Sequence, residues 1–279
     1  MITTPNVKIN LGLNVIRKRE DGVHDLETLF VPYFGISDKL EIVVGDDFSR
    51  TSAAIFGKYA PEMIAQGISE DGKLMITIAR EEGVDWDPLK DLTAKAYQIL
   101  AADFDLPPVK IFLEKTSPVG AGLGGGSSDA AFALKMLDEL CGLGLDEQRL
   151  AEYASRLGSD CAFFIYNRPM IGEGRGEILT EYEIDLDGYD LQVLTPEGVA
   201  VSTKDAYGGI RPHLPEVPLR EALTRPVDQW NGILVNDFEE TVFAKYPELA
   251  AIKRSLYDSG ATYACMSGSG SALFALYRK

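Results

Sequence analysis

Cysteine is scarce in this sequence. The 279 residues hold three, Cys141, Cys161 and Cys265, and no CxxC pair. An odd number at wide spacing excludes a disulfide framework and a structural zinc site, and suits a reducing cytoplasm. Long apolar runs are missing as well. No stretch reaches the roughly 18 apolar residues of a spanning helix, so no membrane segment is expected. The opening MITTPNVKINLGLNV has no basic segment leading into an apolar core, and reads as neither signal nor transit peptide. Positive charge is in deficit: 27 Lys and Arg face 43 Asp and Glu, a net charge of −16. Nucleic acid and anionic membranes are poor partners for such a chain, and any site for an anion must be positive locally. Repeats and low-complexity segments are absent.

What remains is ordinary globular composition, 46% hydrophobic and 25% charged, which excludes disordered and fibrous classes. A chain of this length buries about three quarters of its surface and needs no staples. Strand-like and helix-like stretches alternate. Val7, Ile9, Leu11, Leu13 and Val15 alternate with Lys8, Asn10, Gly12 and Asn14, a period-2 strand whose second face carries Lys8 and Asn10 together. Further strands are expected at 39–44, 73–79, 109–115, 190–195 and 272–278. Helices are expected at about 91–104, 127–140, 146–157 and 245–259, the last stopping at Gly260 as its C-terminal cap. Residues 208–219 hold three prolines and read as a loop. Two domains are expected, 1–165 and 166–279.

Residues 117–128, SPVGAGLGGGSS, place Gly120, Gly122, Gly124, Gly125 and Gly126 within seven positions, between a strand and an apolar-periodic helix. Such a loop turns backbone N–H groups toward a phosphate, and the helix adds its positive N-terminal end. Ser127 and Ser128 are candidates to cap that helix, to donate to a phosphate or to ligate a cation. A Walker A loop is excluded because Gly126 stands where its lysine belongs. A dinucleotide fingerprint is formally present at Gly120, Gly122 and Gly125, but that motif opens an initial βαβ unit, and here more than a hundred residues come first. A phosphate cradle of another kind is the third reading.

PxGxGLGGGSS followed by an alanine-rich helix resembles the central motif of the GHMP kinases. KINLGLNV with DGVHDLETLF resembles the family's first motif, and MSGSGS (266–271) its third, in the family's order. GSDCAFF, GEGRGEIL, VSTKDAY and NDFE are similar to strings of one branch of the family, the kinases of 4-diphosphocytidyl-2-C-methyl-D-erythritol. The resemblance implies an α+β, two-domain GHMP fold, with a ribosomal-protein-S5-domain-2-like ATP-binding N-terminal domain and a ferredoxin-like C-terminal domain. It implies an ATP- and Mg2+-dependent cytoplasmic kinase of isoprenoid precursor biosynthesis. That enzyme phosphorylates the 2-hydroxyl of the diphosphocytidyl compound as a monomer or weak homodimer.

The same resemblance assigns roles. Asp160 matches the catalytic aspartate, the base or orienting group for the hydroxyl. Lys8 matches the catalytic lysine, which keeps that carboxylate ionised and offsets charge on the phosphoryl group. Asn10, His24, Phe30, Thr203 and Tyr207 match substrate positions, with His24 on the cytosine edge and the two aromatics against its ring. Lys115, Pro118, Gly120, Gly122, Leu123, Gly124, Gly125, Gly126, Ser127 and Ser128 match the nucleotide side. Ser267, Gly268 and Gly270 form a second glycine turn, read either as packing against the phosphate loop or as a plain hairpin turn. The metal ligands are not legible. Two departures stand out. Val23 replaces the family's usual Tyr, and Asp91 stands where relatives often have Asn. The first keeps open a GHMP kinase acting on another small alcohol. A non-catalytic nucleotide-binding module is the alternative of another class.

Overall fold

The structure is a computed structural model that describes every residue except Asp46. Its strands are β1 (Ile2–Thr3), β2 (Asn6–Lys18), β3 (His24–Ser37), β4 (Lys39–Val44), β5 (Ile64–Ile68), β6 (Leu74–Ala79), β7 (Val109–Glu114), β8 (Met170–Gly174), β9 (Ile178–Glu181), β10 (Tyr189–Leu194), β11 (Tyr263–Met266) and β12 (Leu273–Arg278). The chain divides into two compact units that are not simple halves of the sequence. The first comprises Met1–Val7, Phe34–Val119 and Gly124–Asn167, and the second Lys8–Tyr33, Gly120–Leu123 and Arg168–Lys279.

The first unit is built on a five-stranded sheet in the order β1-β4-β7-β6-β5. Only β6 and β7 run parallel, and the other pairs are antiparallel. Alternation in the sequence explains its core: Leu74, Ile76 and Ile78 with Ile111 and Leu113 are wholly buried, which is what a period of two delivers to one face of a sheet. The helices Leu92–Ala101 and Gly125–Cys141 belong to this unit. The second of them buries a small-residue stripe, Ala130, Ala131, Ala133 and Leu134, and ends on Gly142 in a left-handed conformation. Asp91 caps the first helix, accepting from the Thr93 N–H at 2.8 Å while also accepting from the Trp86 indole at 3.0 Å. Asp146 caps the helix Glu147–Leu157 in the same way.

The second unit has two sheets, β2-β3-β8-β9 and β10-β12-β11. Its core joins Leu13 and Val15 of β2 to Phe238, Val242, Leu249 and Leu273. The helix Pro247–Asp258 closes with Ser259 as cap and Gly260 at φ 98°, a left-handed stop as its sequence position suggests.

The six expected strands and four expected helices lie within three residues of observed ones. The long strand β3 was not expected, because HDLETLFVPYFGIS interrupts its alternation with Pro32 and Gly35. The helices Cys161–Tyr166 and Phe238–Lys245 were not expected either; both are too short to show a clear helical period.

Candidate active site

Strand β2 is buried on both faces. Ile9 and Leu11 are wholly buried on one side, and Lys8 and Asn10 are each 2% exposed on the other. A lysine on a strand ordinarily points to water, so its burial here calls for partners. The Lys8 ammonium donates to Asn10 Oδ1 at 2.6 Å and to the Gly122 carbonyl at 2.7 Å. Its backbone N–H donates to the Leu123 carbonyl at 3.0 Å. Asn10 in turn donates from Nδ2 to Thr28 Oγ1 at 3.0 Å, and the Thr28 hydroxyl donates to the Gly12 carbonyl. Asn10 is thus engaged at both ends of its amide. Its Oδ1 accepts from Lys8 and its Nδ2 faces Thr28. Thr28 was not anticipated, and its inward place on β3 is visible only in the fold.

The tight packing around Gly122 explains why glycine is required there. A methyl group at that position would lie 2.1 Å from the Ser267 carbonyl oxygen, and φ is +77°. Ser267 donates its hydroxyl to the Gly122 carbonyl at 3.0 Å, and the Ala272 N–H donates to Ala121 at 3.0 Å. The MSGSGS turn therefore packs its backbone against the centre of the glycine loop. Asn236 holds that turn from behind, donating to the Met266 and Gly268 carbonyls at 2.8 Å each. No role had been read for it, although it opens the NDFE string.

Gly124, Gly125 and Gly126 belong to the first unit. Gly124, at φ 72°, is the cap of the helix Gly125–Cys141. This corrects the expectation that Ser127 or Ser128 caps it. Both serines lie inside the first turn, because the glycines themselves have helical or left-handed geometry and start the helix two residues early. The Ser128 hydroxyl is buried with no protein partner. Gly120 and Gly126 have open space where a side chain would stand.

Asp160 is partly buried and occupies the cap position of the helix Cys161–Tyr166. The preceding helix stops at Leu157, as its expected range 146–157 had it, with Gly158 and Ser159 between. The intervening turn abuts the phosphate-loop helix. A methyl at Gly158 would lie 3.2 Å from Cys161 Sγ and 3.9 Å from Ser127 Oγ. Burial pushes the Cys161 thiol up to about 12, with the Ser127 hydrogen bond pulling against the rise and the Asp160 charge adding to it. Asp160 and the first turn of the loop helix are thus held in one neighbourhood.

Lys115 is 6% exposed and its ammonium lies between two carboxylates, Asp38 at 2.5 Å and Asp129 at 2.6 Å. On the second unit's aromatic face, His24 and Tyr207 approach to 4.9 Å between ring centroids, and Tyr207 meets Phe238 edge-on at 4.7 Å. Burial, then the charge of Lys18, holds the His24 imidazole below its ordinary value. At neutral pH it therefore offers one donor and one acceptor. Phe30 is 2% exposed, its ring lies 5.6 Å from the Lys8 ammonium, and it fills the space at Gly172, where a methyl would meet it at 2.3 Å. Thr203 is exposed at the start of the helix Thr203–Tyr207, which Ser202 caps. Pro118 is half-buried in the loop.

Among the described residues, no group of three or more His, Cys, Asp or Glu side chains is arranged to hold a metal ion. The donors that fit an anionic nucleotide are the N–H groups at the start of the helix Gly125–Cys141 and the hydroxyls of Ser127 and Ser128.

Comparison with known proteins agrees with this geometry. The GHMP kinases N terminal domain matches residues 91–168 and the GHMP kinases C terminal family residues 219–279. A 4-diphosphocytidyl-2-C-methyl-D-erythritol kinase of Bacteroides fragilis is 46% identical over 277 residues, 99% of this chain and 92% of that protein. The enzyme of the same name from Bacteroides thetaiotaomicron is 45% identical over 277 residues, with the same coverage of both chains. A crystal structure of 4-(cytidine 5'-diphospho)-2C-methyl-D-erythritol kinase matches with a TM-score of 0.76 at 30% identity, covering 99% of this chain and 90% of that one. Homoserine kinase from Cytophaga hutchinsonii shares the fold, with a TM-score of 0.65 at 16% identity over 99% of this chain and 86% of that one. With an identity this high along nearly the whole of both sequences, the chain belongs to the 4-diphosphocytidyl-2-C-methyl-D-erythritol kinases, a branch of the GHMP kinases.

Proposed function

We propose that this chain transfers the γ-phosphoryl group of ATP to the 2-hydroxyl of 4-diphosphocytidyl-2-C-methyl-D-erythritol. The observation that carries this reading is the buried Lys8 ammonium, aimed by Asn10 and by the carbonyl of a phosphate-loop glycine. Phosphoryl transfer needs an aligned hydroxyl, a proton acceptor and positive charge near the transferred group, and little covalent help. Asp160 is proposed to orient the hydroxyl and take its proton. Lys8 is proposed to offset charge on the phosphoryl oxygens. The N–H groups following Gly124 and the hydroxyls of Ser127 and Ser128 are proposed to hold the nucleotide's phosphates within the 1–165 portion. Magnesium, when bound with the nucleotide, neutralises phosphate charge. His24, Tyr207 and Thr203 are proposed to receive the cytidine, with neutral His24 reading the base edge and the Tyr207 ring offering its face. We further propose a cytoplasmic monomer or weak homodimer. Its three free cysteines suit that compartment.

The test is ADP release with magnesium-ATP and four alcohols: the diphosphocytidyl compound, mevalonate, homoserine and galactose. Turnover is expected with the cytidyl compound alone, and Asp160→Ala is expected to lower kcat by about 10²–10⁴. Turnover confined to another alcohol would overturn the substrate assignment and point to Val23 as the mark of a changed acceptor.

A further inference from the structure

We propose that Asp38, Lys115 and Asp129 form a positioning triad beneath the phosphate loop, through which Lys115 acts on a bound nucleotide by fixing the loop rather than by touching the phosphates. The proposal rests on the ATP reading above.

Three chain segments meet at this ammonium. Lys115 directly follows β7, Asp38 joins β3 to β4, and Asp129 lies in the second turn of the helix Gly125–Cys141. The Lys115 side chain is 5% exposed and both carboxylates are 1% exposed. Asp38 receives four donors: Lys115 at 2.5 Å, the Ser117 hydroxyl at 2.6 Å, and the N–H groups of Thr116 and Ser117 at 2.7 and 2.6 Å. Asp129 receives Lys115 at 2.6 Å on one oxygen, and its other oxygen has no protein partner. The helix rests directly on this cluster. A methyl at Gly125 would lie 2.2 Å from the Ser117 hydroxyl and 3.1 Å from the Lys115 ammonium. Two of the three ammonium donors are therefore spent on tying the loop's helix to the strand end.

Charge agrees with this division. One ammonium cannot neutralise two buried carboxylates, and a surplus negative charge under an anion site would oppose binding. Asp38, with Lys115 and the Ser117 donors outweighing its burial, is held below the ordinary carboxylate range. Asp129 is raised well above that range by burial, with Asp38 and Asp91 adding to the rise and Lys115 opposing it. Of the two carboxyls, Asp129 is therefore the readier to hold a proton, and Asp38 the readier to stay ionised. In a chain of net charge −16, a lysine between these carboxyls limits the negative charge beneath the loop.

The experiment measures the affinity of a non-hydrolysable ATP analogue, AMPPNP with magnesium, by calorimetry, without the alcohol. Wild type, Lys115→Met, Asp129→Asn and the double variant are compared, and KM for ATP and kcat are measured alongside. If both residues serve one tether, Lys115→Met weakens binding about tenfold, Asp129→Asn about fivefold, and the double variant no more than about twofold beyond Lys115→Met. KM for ATP rises in parallel, and kcat falls by no more than about threefold. A double variant whose loss is the product of the two single losses overturns the proposal, because a direct Lys115–phosphate contact behaves that way. Hydrogen exchange decides the case if Lys115→Met fails to fold. The amides of Gly124–Ser128 exchange faster in Asp129→Asn than in wild type if the tether is real, and at the same rate if it is not. Failure of wild type to bind the analogue overturns the ATP reading and this proposal together. Binding with multiplicative losses overturns only this proposal.

Discussion

Two buried lysines next to the glycine run have different surroundings. Lys115 is met by two carboxylates, which consume its charge and turn it into a structural tie. Lys8 donates to the Asn10 amide oxygen and to the Gly122 backbone carbonyl. Burial alone therefore says little about a lysine's task. What each ammonium is tied to says more: Lys115 is tied to side chains of two other segments, and Lys8 to its own strand and a loop glycine.

The largest expected effect tests the Lys8 side of this contrast. Lys8→Met is expected to lower kcat by about 10²–10³, as loss of a transition-state charge partner does, with KM for ATP changed much less. Steady-state ADP release measures it, and an unchanged kcat would break the distinction between the two lysines. Next comes the glycine whose carbonyl receives Lys8. Gly122→Ala forces a methyl onto the Ser267 carbonyl at a left-handed φ and is expected to cost about 3 kcal/mol or more in urea unfolding. Gly126→Ala, which meets nothing within 4 Å, is expected to stay within about 0.5 kcal/mol. Equal losses at the two glycines would mean that the loop's own flexibility, not its contact with the MSGSGS turn, selects glycine.

Smaller effects sharpen the Lys115 side. Lys115→Met is expected to act on nucleotide affinity by about tenfold, a smaller loss than Lys8→Met causes in kcat. Asp38 gives a pH signature. Its carboxyl is held below its unfolded value of 3.8, so its contribution to stability is present above that pH and is lost as pH falls through the lower folded value. The stability gap between wild type and Asp38→Asn should be constant between about pH 5 and 7 and close below about pH 4. A gap that persists in acid would mean that Asp38 acts by shape and not by charge.

Much of this was legible from residue order. The alternation in NVKINLGLNV put Lys8 and Asn10 on one face of β2, and the GLGGGSS run announced both the loop and its helix. The aromatic partnership of His24 and Tyr207 lies across 183 positions of sequence, yet resemblance had grouped them and the rings do meet. Other features were hidden for definite reasons. Asp38 and Asp129 looked like two acidic residues among 43, because only the strand ends and the first helical turns bring them to one ammonium. Asn236 carried no periodic signal, since its role is to hold a turn formed 30 residues later. The packing of Phe30 into the space left by Gly172 was hidden too, because the two residues meet only through the pairing of β3 with β8.

Sequence by itself determined the elements and the chemistry available to them. Strand alternation, helix caps at Asp91 and Asp146, the stop at Gly260 and the phosphate-loop glycines are local matters of backbone geometry and hydrophobic period. Tertiary structure alone decided the direction and the proton affinity of the buried polar groups. A lysine's acceptors and the upward shifts of the Asp129 carboxyl and the Cys161 thiol depend on which distant groups exclude water from each one. Desolvation is a property of the packed interior, and no run of neighbouring residues encodes it.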